Sequence, residues 1–195
     1  MPARPALRRV AAVAVTVLLL AIGGAAILVT PSDDAVTAPI AAPGAVGHRI
    51  VGRELVVTVS GVRLAHRVDY PTQDAPPATT TSGVWVLVDA TVAGGRAETT
   101  ARWSQLRLGG STFTLASDAG ISSLNSRTFA VGIPFRGSFV FEVSDAALAH
   151  ATSAELVLSD TPDSIPDTQP VVRLDLSGRT VAPSAAVRDP EVVRR

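Results

Sequence analysis

The chain is predicted to be all-β, with antiparallel sheets stacked as a sandwich and a single transmembrane helix in front of them. Three observations predict this. Val10–Val29 is an uncharged apolar run; about eight short β-branched runs follow Ile50 at spacings near ten residues; and no long amphipathic period lies between them.

The apolar run VAAVAVTVLLLAIGGAAILV rises roughly 30 Å as a helix, the thickness of a bilayer's hydrocarbon core. Arg4, Arg8 and Arg9 in the leader Met1–Arg9 precede it, and Asp33 and Asp34 follow it. By the positive-inside rule the N-terminus is cytoplasmic and the rest extracytoplasmic. Two readings stay open, an uncleaved signal anchor and a cleaved signal peptide that releases a secreted protein. The anchor is preferred. The run exceeds a secretory h-region, and Ile27, Leu28 and Val29 continue past the small residues Gly24-Ala25-Ala26.

Thr30–Gly47 is expected to be a Pro/Ala-rich tether, since Pro31, Pro39, Pro43 and Gly44 interrupt any helix and no apolar period survives. The sandwich is expected over 48–178. In Glu54–Arg67 the apolar positions alternate through Leu55, Val57 and Val59 and resume out of phase at Val62 and Leu64, predicting a bulge or break at Ser60-Gly61. Val68–Gly83, with three prolines and a Thr/Ser run, reads as a loop. Val84–Val92 is the core strand. Its first five residues are apolar on both faces, as in a strand covered from both sides, and Asp89 and Thr91 restore alternation.

Trp103–Leu108 and Ser111–Leu115 flank Gly109-Gly110, a hairpin signal. Ser117–Ser126 reads as a second polar loop. Thr128–Ile133 and Ser138–Val143 are strands, and Ser144–Ala149 is one helical turn with Ser144 as N-cap. Glu155–Ser159 and Val171–Leu176 complete the set. The segment 179–195, with Pro183, Pro190 and Arg194-Arg195, is expected to be a disordered tail.

Composition narrows the function. His48–Arg179 carries 11 Arg against 13 Asp plus Glu, a net of −2, which is no footprint for nucleic acid. There is no cysteine, so neither disulfides, a thiolate nucleophile nor a cysteine-ligated zinc is available. All 17 basic residues are arginine, which removes lysine as a catalytic base or Schiff-base amine. No cofactor motif is present and no cofactor is expected.

Three segments carry a family resemblance. Trp85–Val92 resembles the family's Val-rich central strand, and Trp103–Leu108 before Gly109-Gly110 its Leu-rich hairpin. Arg136–Val143 followed by Ala154–Leu158 resembles its closing strands. Over about Glu54–Leu176 the chain resembles the extracellular immunoglobulin-like (telokin-like) domains of unknown function in Gram-positive, actinobacterial envelope proteins. The secreted immunogenic mycobacterial antigens are relatives of that family. The resemblance implies an immunoglobulin-like sandwich and brings no catalytic motif.

The candidate sites are few. Asp160, Asp163 and Asp167 share the loop SDTPDSIPD; loops at the end of a sandwich can collect calcium, but Pro162 and Pro166 favour a solvated acidic turn. Trp103, beside Arg102 at a strand entrance, is a candidate ligand platform, with burial as the plainer reading for it and for Trp85. Arg102, Arg107 and Arg127 are candidates for anionic wall polymers, with exposed strand faces as the plainer reading. His48, His66 and His150 lack metal-ligand spacing. His66 and Asp69 could orient Ser60 or Ser82, though no nucleophile elbow is present.

The expected function is therefore a non-catalytic binding or interaction module of the cell envelope. Its expected partners are the membrane, through the N-terminal helix, and an envelope protein or cell-wall ligand. The alternative is an accessory subunit of a transport or secretion complex acting through that helix. Exchanging Val10–Val29 for an unrelated apolar helix separates the two.

Overall fold

Alternation along each strand decides which side chains meet in the core, and the observed strands follow that pattern from Leu55 onward. The structure, a computed structural model, describes residues 5–29, 39–70, 79–117, 122–161 and 168–194, without the side chains of 5–12, 26–29 and 79. The chain divides into two units, Met1–Ala38 and Pro39–Arg195.

The first unit contains helix α1 (Pro5–Val29), which covers the whole apolar run. Its residues 13–25 are exposed, Leu18, Leu19, Leu20 and Ile22 among them. Among the described residues no helix is long and apolar enough to cross a membrane. Val10–Val29 is thus helical as expected.

The second unit opens with β1 (Ile40–Ala45), β2 (Arg49–Val51), β3 (Leu55–Asp69) and β4 (Thr79–Gly94). Next come β5 (Thr99–Thr100), β6 (Gln105–Leu108) and β7 (Ser111–Thr114). A 3₁₀ turn at Leu124–Ser126 leads to β8 (Thr128–Phe129), β9 (Phe135–Val143) and the one-turn helix α2 (Asp145–Leu148). The chain ends with β10 (Ser153–Val157), β11 (Thr168–Asp175), β12 (Val181–Ala182), β13 (Ala185–Ala186) and β14 (Glu191–Val192).

One sheet runs β1-β11-β10-β6-β7; the other runs β12-β3-β4-β9-β14, with β2 and β13 also on β3; β5 and β8 form a small ribbon. Between the two large sheets lies the core. Val57 and Val59 of β3, Val86, Val88 and Val92 of β4, and Phe139 and Phe141 of β9 face Leu106, Leu156, Val172 and Leu174. The change of phase in β3 is a bulge between Val59 and Gly61, which keeps Val62 and Leu64 on the inner face. Gly109 and Gly110 both adopt positive φ in the β6–β7 hairpin, as a two-residue primed turn requires. The Ser144 side chain caps α2 by accepting from the Ala147 amide at 3.3 Å.

Five expectations are corrected. β4 begins at Thr79, because the β-branched Thr79 and Thr80 pair with Val68 and Arg67. The expected polar loop Ser117–Ser126 includes the buried Ser122, Ser123, Leu124 and Asn125. The tether does not extend to Gly47: Ile40–Ala45 joins β11 as an edge strand, a position that tolerates Pro43. The tail 179–195 is not disordered over its described residues. It forms β12, β13 and β14 and buries Val187. Nor is the sandwich purely antiparallel, since β1 on β11 and β12 and β13 on β3 pair in parallel. Those parallel pairs all come from segments flanking the expected domain, where runs of two to six residues give no readable period.

Candidate functional site

The outward face of β4 carries Trp85, Leu87 and Asp89, and all three are buried. Cover comes from the C-terminal segment. β13 pairs with Val68-Asp69, the Val187 amide donates to the Asp69 carbonyl at 2.9 Å, and the Val187 side chain packs with Trp85, Leu87 and Val140. The segment then reaches the other edge, where β14 pairs with Phe135-Arg136 and the Val193 amide donates to the Pro134 carbonyl at 2.9 Å. It is a strap laid across the sheet from β3 to β9.

Asp89 is 3% exposed beneath this strap. Arg63 grips it as a fork, Nε to Oδ2 at 2.9 Å and Nη2 to Oδ1 at 2.7 Å, while Ser138 Oγ donates to Oδ1 at 2.6 Å. Arg188 Nε stands 3.5 Å from Oδ2. Strap and network are tied together. Arg63 Nη1 donates to the Ala186 carbonyl at 2.8 Å, and the Arg188 amide to Ser138 Oγ at 3.1 Å. A buried carboxylate with so many donors holds its partners in one geometry.

Beyond Asp89 the same face is open. Val56 and Thr58 of β3, Thr91 and Ala93 of β4, and Arg49 line a groove of about 260 Å³ that runs toward Pro134. It shares Arg49 and Val56 with a wider trough of about 580 Å³, whose wall carries Arg49, Arg53, Arg96 and Thr168 and, among the described residues, no acidic one. The trough's floor is braced by backbone bonds. Gly52 N donates to Leu55 O at 2.9 Å, Arg53 N to Thr168 O at 3.1 Å, and Gly95 N to Glu54 O at 2.7 Å. Glycine is needed at two of these places. A Cβ on Gly95 would collide with the Arg53 carbonyl oxygen, and one on Gly52 would stand 2.6 Å from Pro170 Cδ.

The sequence-predicted candidates are scattered. Trp103 is 46% exposed, with its amide donating to the Ser159 carbonyl at 3.2 Å. Asp160 accepts from Thr99 Oγ1 at 3.2 Å and borders a cleft of about 270 Å³ with Arg53, Glu54 and Gln169. Asp163 and Asp167 lie outside the described residues. Among the described residues no group of three or more His, Asp or Glu side chains could hold a metal ion. Arg127 lies over the Phe135 ring at 5.7 Å, whereas Arg102 and Arg107 are exposed.

His66, Asp69 and Ser60 are not brought together. His66 Nδ1 is 3.3 Å from the Gly83 carbonyl, Ser60 Oγ donates to the Asp89 carbonyl at 3.1 Å, and Asp69 accepts from Arg67 Nε at 2.9 Å. At the end of β11, the Ser177 hydroxyl and amide hold the Asp175 carboxyl below the usual range, with Arg179 and Arg173 adding to the shift. The turn they make is therefore strongest above ordinary carboxylate pKa values and weakens as pH falls through the lowered one.

Sequence reasoning missed Asp89's partners and the arginine trough. One signal was available for the first: a lone charge inside VWVLVDATV, a strand read as covered on both faces, requires a buried counter-ion. No local signal existed for the second, because Arg49 on β2 and Arg53 just after it lie far along the chain from Arg96, which follows β4.

These features define an all-β sandwich protein with one half-covered outer face. No protein family model matches the chain, and no curated protein matches it. Two solved structures, both β-sandwich proteins, resemble it. One is an uncharacterized β-sandwich protein from Clostridium difficile 630, at 10% identity over 70% of this chain and 95% of that chain, with a TM-score of 0.46. The other is MPT63, a secreted protein from Mycobacterium tuberculosis, at 17% identity over 70% of this chain and 97% of that chain, with a TM-score of 0.44.

Proposed function

We propose that this chain is a membrane-anchored, extracytoplasmic binding module of a bacterial cell envelope, akin to the telokin-like domains its strands resemble, and that it works without catalysis. The observation that carries the reading is the half-covered outer face of the β3-β4-β9 sheet. The strap seals the end holding Trp85, Leu87 and Asp89 and leaves a concave surface at the end holding Val56, Thr58 and Arg49. A rigid sheet with a braced, solvent-facing hollow suits recognition of an envelope protein or wall ligand. Anchoring is supported by the uncharged run Val10–Val29 with arginines before it and aspartates after it, and by the exposure of Leu18, Leu19 and Leu20 on α1.

Separate measurements test the anchor and the binding role. A phosphatase fused after Arg195 is expected to be active only when exported, and the full chain to resist extraction from membranes at alkaline pH. Cytosolic activity of a fluorescent fusion, or recovery in the medium without residues 1–29, overturns the anchored reading. Crosslinking in intact cells from p-benzoylphenylalanine at Thr58 is expected to capture a defined neighbour. Turnover of a wall-derived substrate by the purified chain, abolished by one Ser or His change, overturns the non-catalytic reading.

A further inference from the structure

We propose that the trough between the β2–β3 turn and the end of β4 binds a flexible phosphodiester polymer of the polyol-phosphate type. The inference rests on the binding-module reading above and names the ligand class for its open face. Three arginines line one concavity of about 580 Å³ in which, among the described residues, no acidic side chain takes part. Arg53 has a neighbour that offsets it, Glu54 at 3.4 Å, and Glu54 lies in the adjoining cleft with Asp160. Arg49 and Arg96 form no ion pair among the described residues, and both are exposed. Within a region of net charge −2 this is a local positive field, and a concave wall focuses it.

The arginines are also pre-positioned. Arg53 and Arg96 leave the backbone beside Gly52 and Gly95, the two glycines whose missing side chains let the turns press on Thr168, Pro170 and the Arg53 carbonyl. Binding therefore need not order the loops, only the guanidinium ends. Guanidinium forks match phosphate oxygens in pairs, which favours repeated phosphates over isolated charges.

The shape and remaining wall narrow the ligand further. The trough is open and shares Arg49 and Val56 with the groove toward Pro134, so a chain fits the pair better than a single ion. None of its described lining residues is aromatic, so it lacks the aromatic platform on which proteins stack successive bases of single-stranded nucleic acid. Val51 and Val56 offer apolar contact to short carbon linkers between phosphates.

The test uses the full chain in a neutral detergent and a fluorescent poly(glycerol phosphate) oligomer, with anisotropy read at low and moderate salt. Arg49→Gln and Arg96→Gln are each expected to weaken binding about tenfold and to flatten its salt dependence, whereas Arg107→Gln on β6 leaves it unchanged. Unchanged thermal melting of the variants shows that the fold is intact. Equal loss with Arg107→Gln, or no loss with the trough variants, overturns the site. Oligothymidylate binding as tightly as the oligomer, or inorganic phosphate competing at equal phosphate concentration, overturns the polymer assignment. Binding accompanied by hydrolysis of the oligomer supports the ligand class and overturns the non-catalytic reading. No binding, with the intact-cell crosslink at Thr58 still formed, overturns the ligand class alone.

Discussion

Asp89 shows how one side chain can organise a face of the molecule. Its carboxylate is nearly sealed from water and satisfied by the Arg63 fork and Ser138, and both partners also hold the strap. Removing Arg63 leaves the buried carboxylate with only the Ser138 hydroxyl and the more distant Arg188 Nε at 3.5 Å. Arg63→Ala is expected to cost about 3–5 kcal/mol in urea unfolding, and the pair Arg63→Met with Asp89→Leu to recover most of it. A single-mutant loss under about 1 kcal/mol would mean water reaches the carboxylate. Asn125 plays a comparable part at the sheet's edge. Its amide accepts from Val140 N at 3.1 Å and donates to Val140 O at 3.2 Å, standing in for a neighbouring strand along β9. The carboxylate was readable as an anomaly in the sequence and its partner was not, because Arg63 lies 26 residues away on β3.

The strap is the element that converts a two-layer sandwich into one with a covered and an open outer half. It holds on by short strands, Val187 and the Asp89 network, so it is expected to detach as a unit without unfolding the sheets. Val187→Asp places a charge against Trp85, Leu87 and Val140. The expected result is loss of about 1.5–3 kcal/mol, the burial worth of one valine, with faster hydrogen exchange at the amides of Val187 and Val193. Amides of β4 and β9 are expected to keep their protection. Exchange rising equally in β4 would show that the strap and sheet unfold together. Of the longer elements, β3 with its bulge, β4 over 84–92 and the glycine hairpin were legible in the sequence, since alternation and turn chemistry are local. The strap was not, since two-residue strands carry no period.

At the scale of the molecule, both flanks of the expected domain close its sheets. β1 runs parallel to β11 over six residue pairs, and Ala42 packs against the core. A chain beginning at His48 is therefore expected to melt about 5–10 °C below one beginning at Pro39, equivalent to about 2–3 kcal/mol. Equal melting temperatures would show that β1 adds nothing. The same closure leaves little open backbone on β3, whose outer edge is taken in turn by β2, β12 and β13.

The sequence by itself determined that strands would form, which side of β3 would face inward, and where β3 would bulge and the glycine hairpin would turn, because each of these follows from neighbours a few residues apart. It also determined a helix over the uncharged run Val10–Val29 ahead of them. Only the tertiary structure decided what covers the outer face and which arginines share a hollow. Those outcomes depend on segments far apart in the chain, Arg63 with Asp89 or Arg49 with Arg96, and no local pattern records which distant backbone will come to lie alongside.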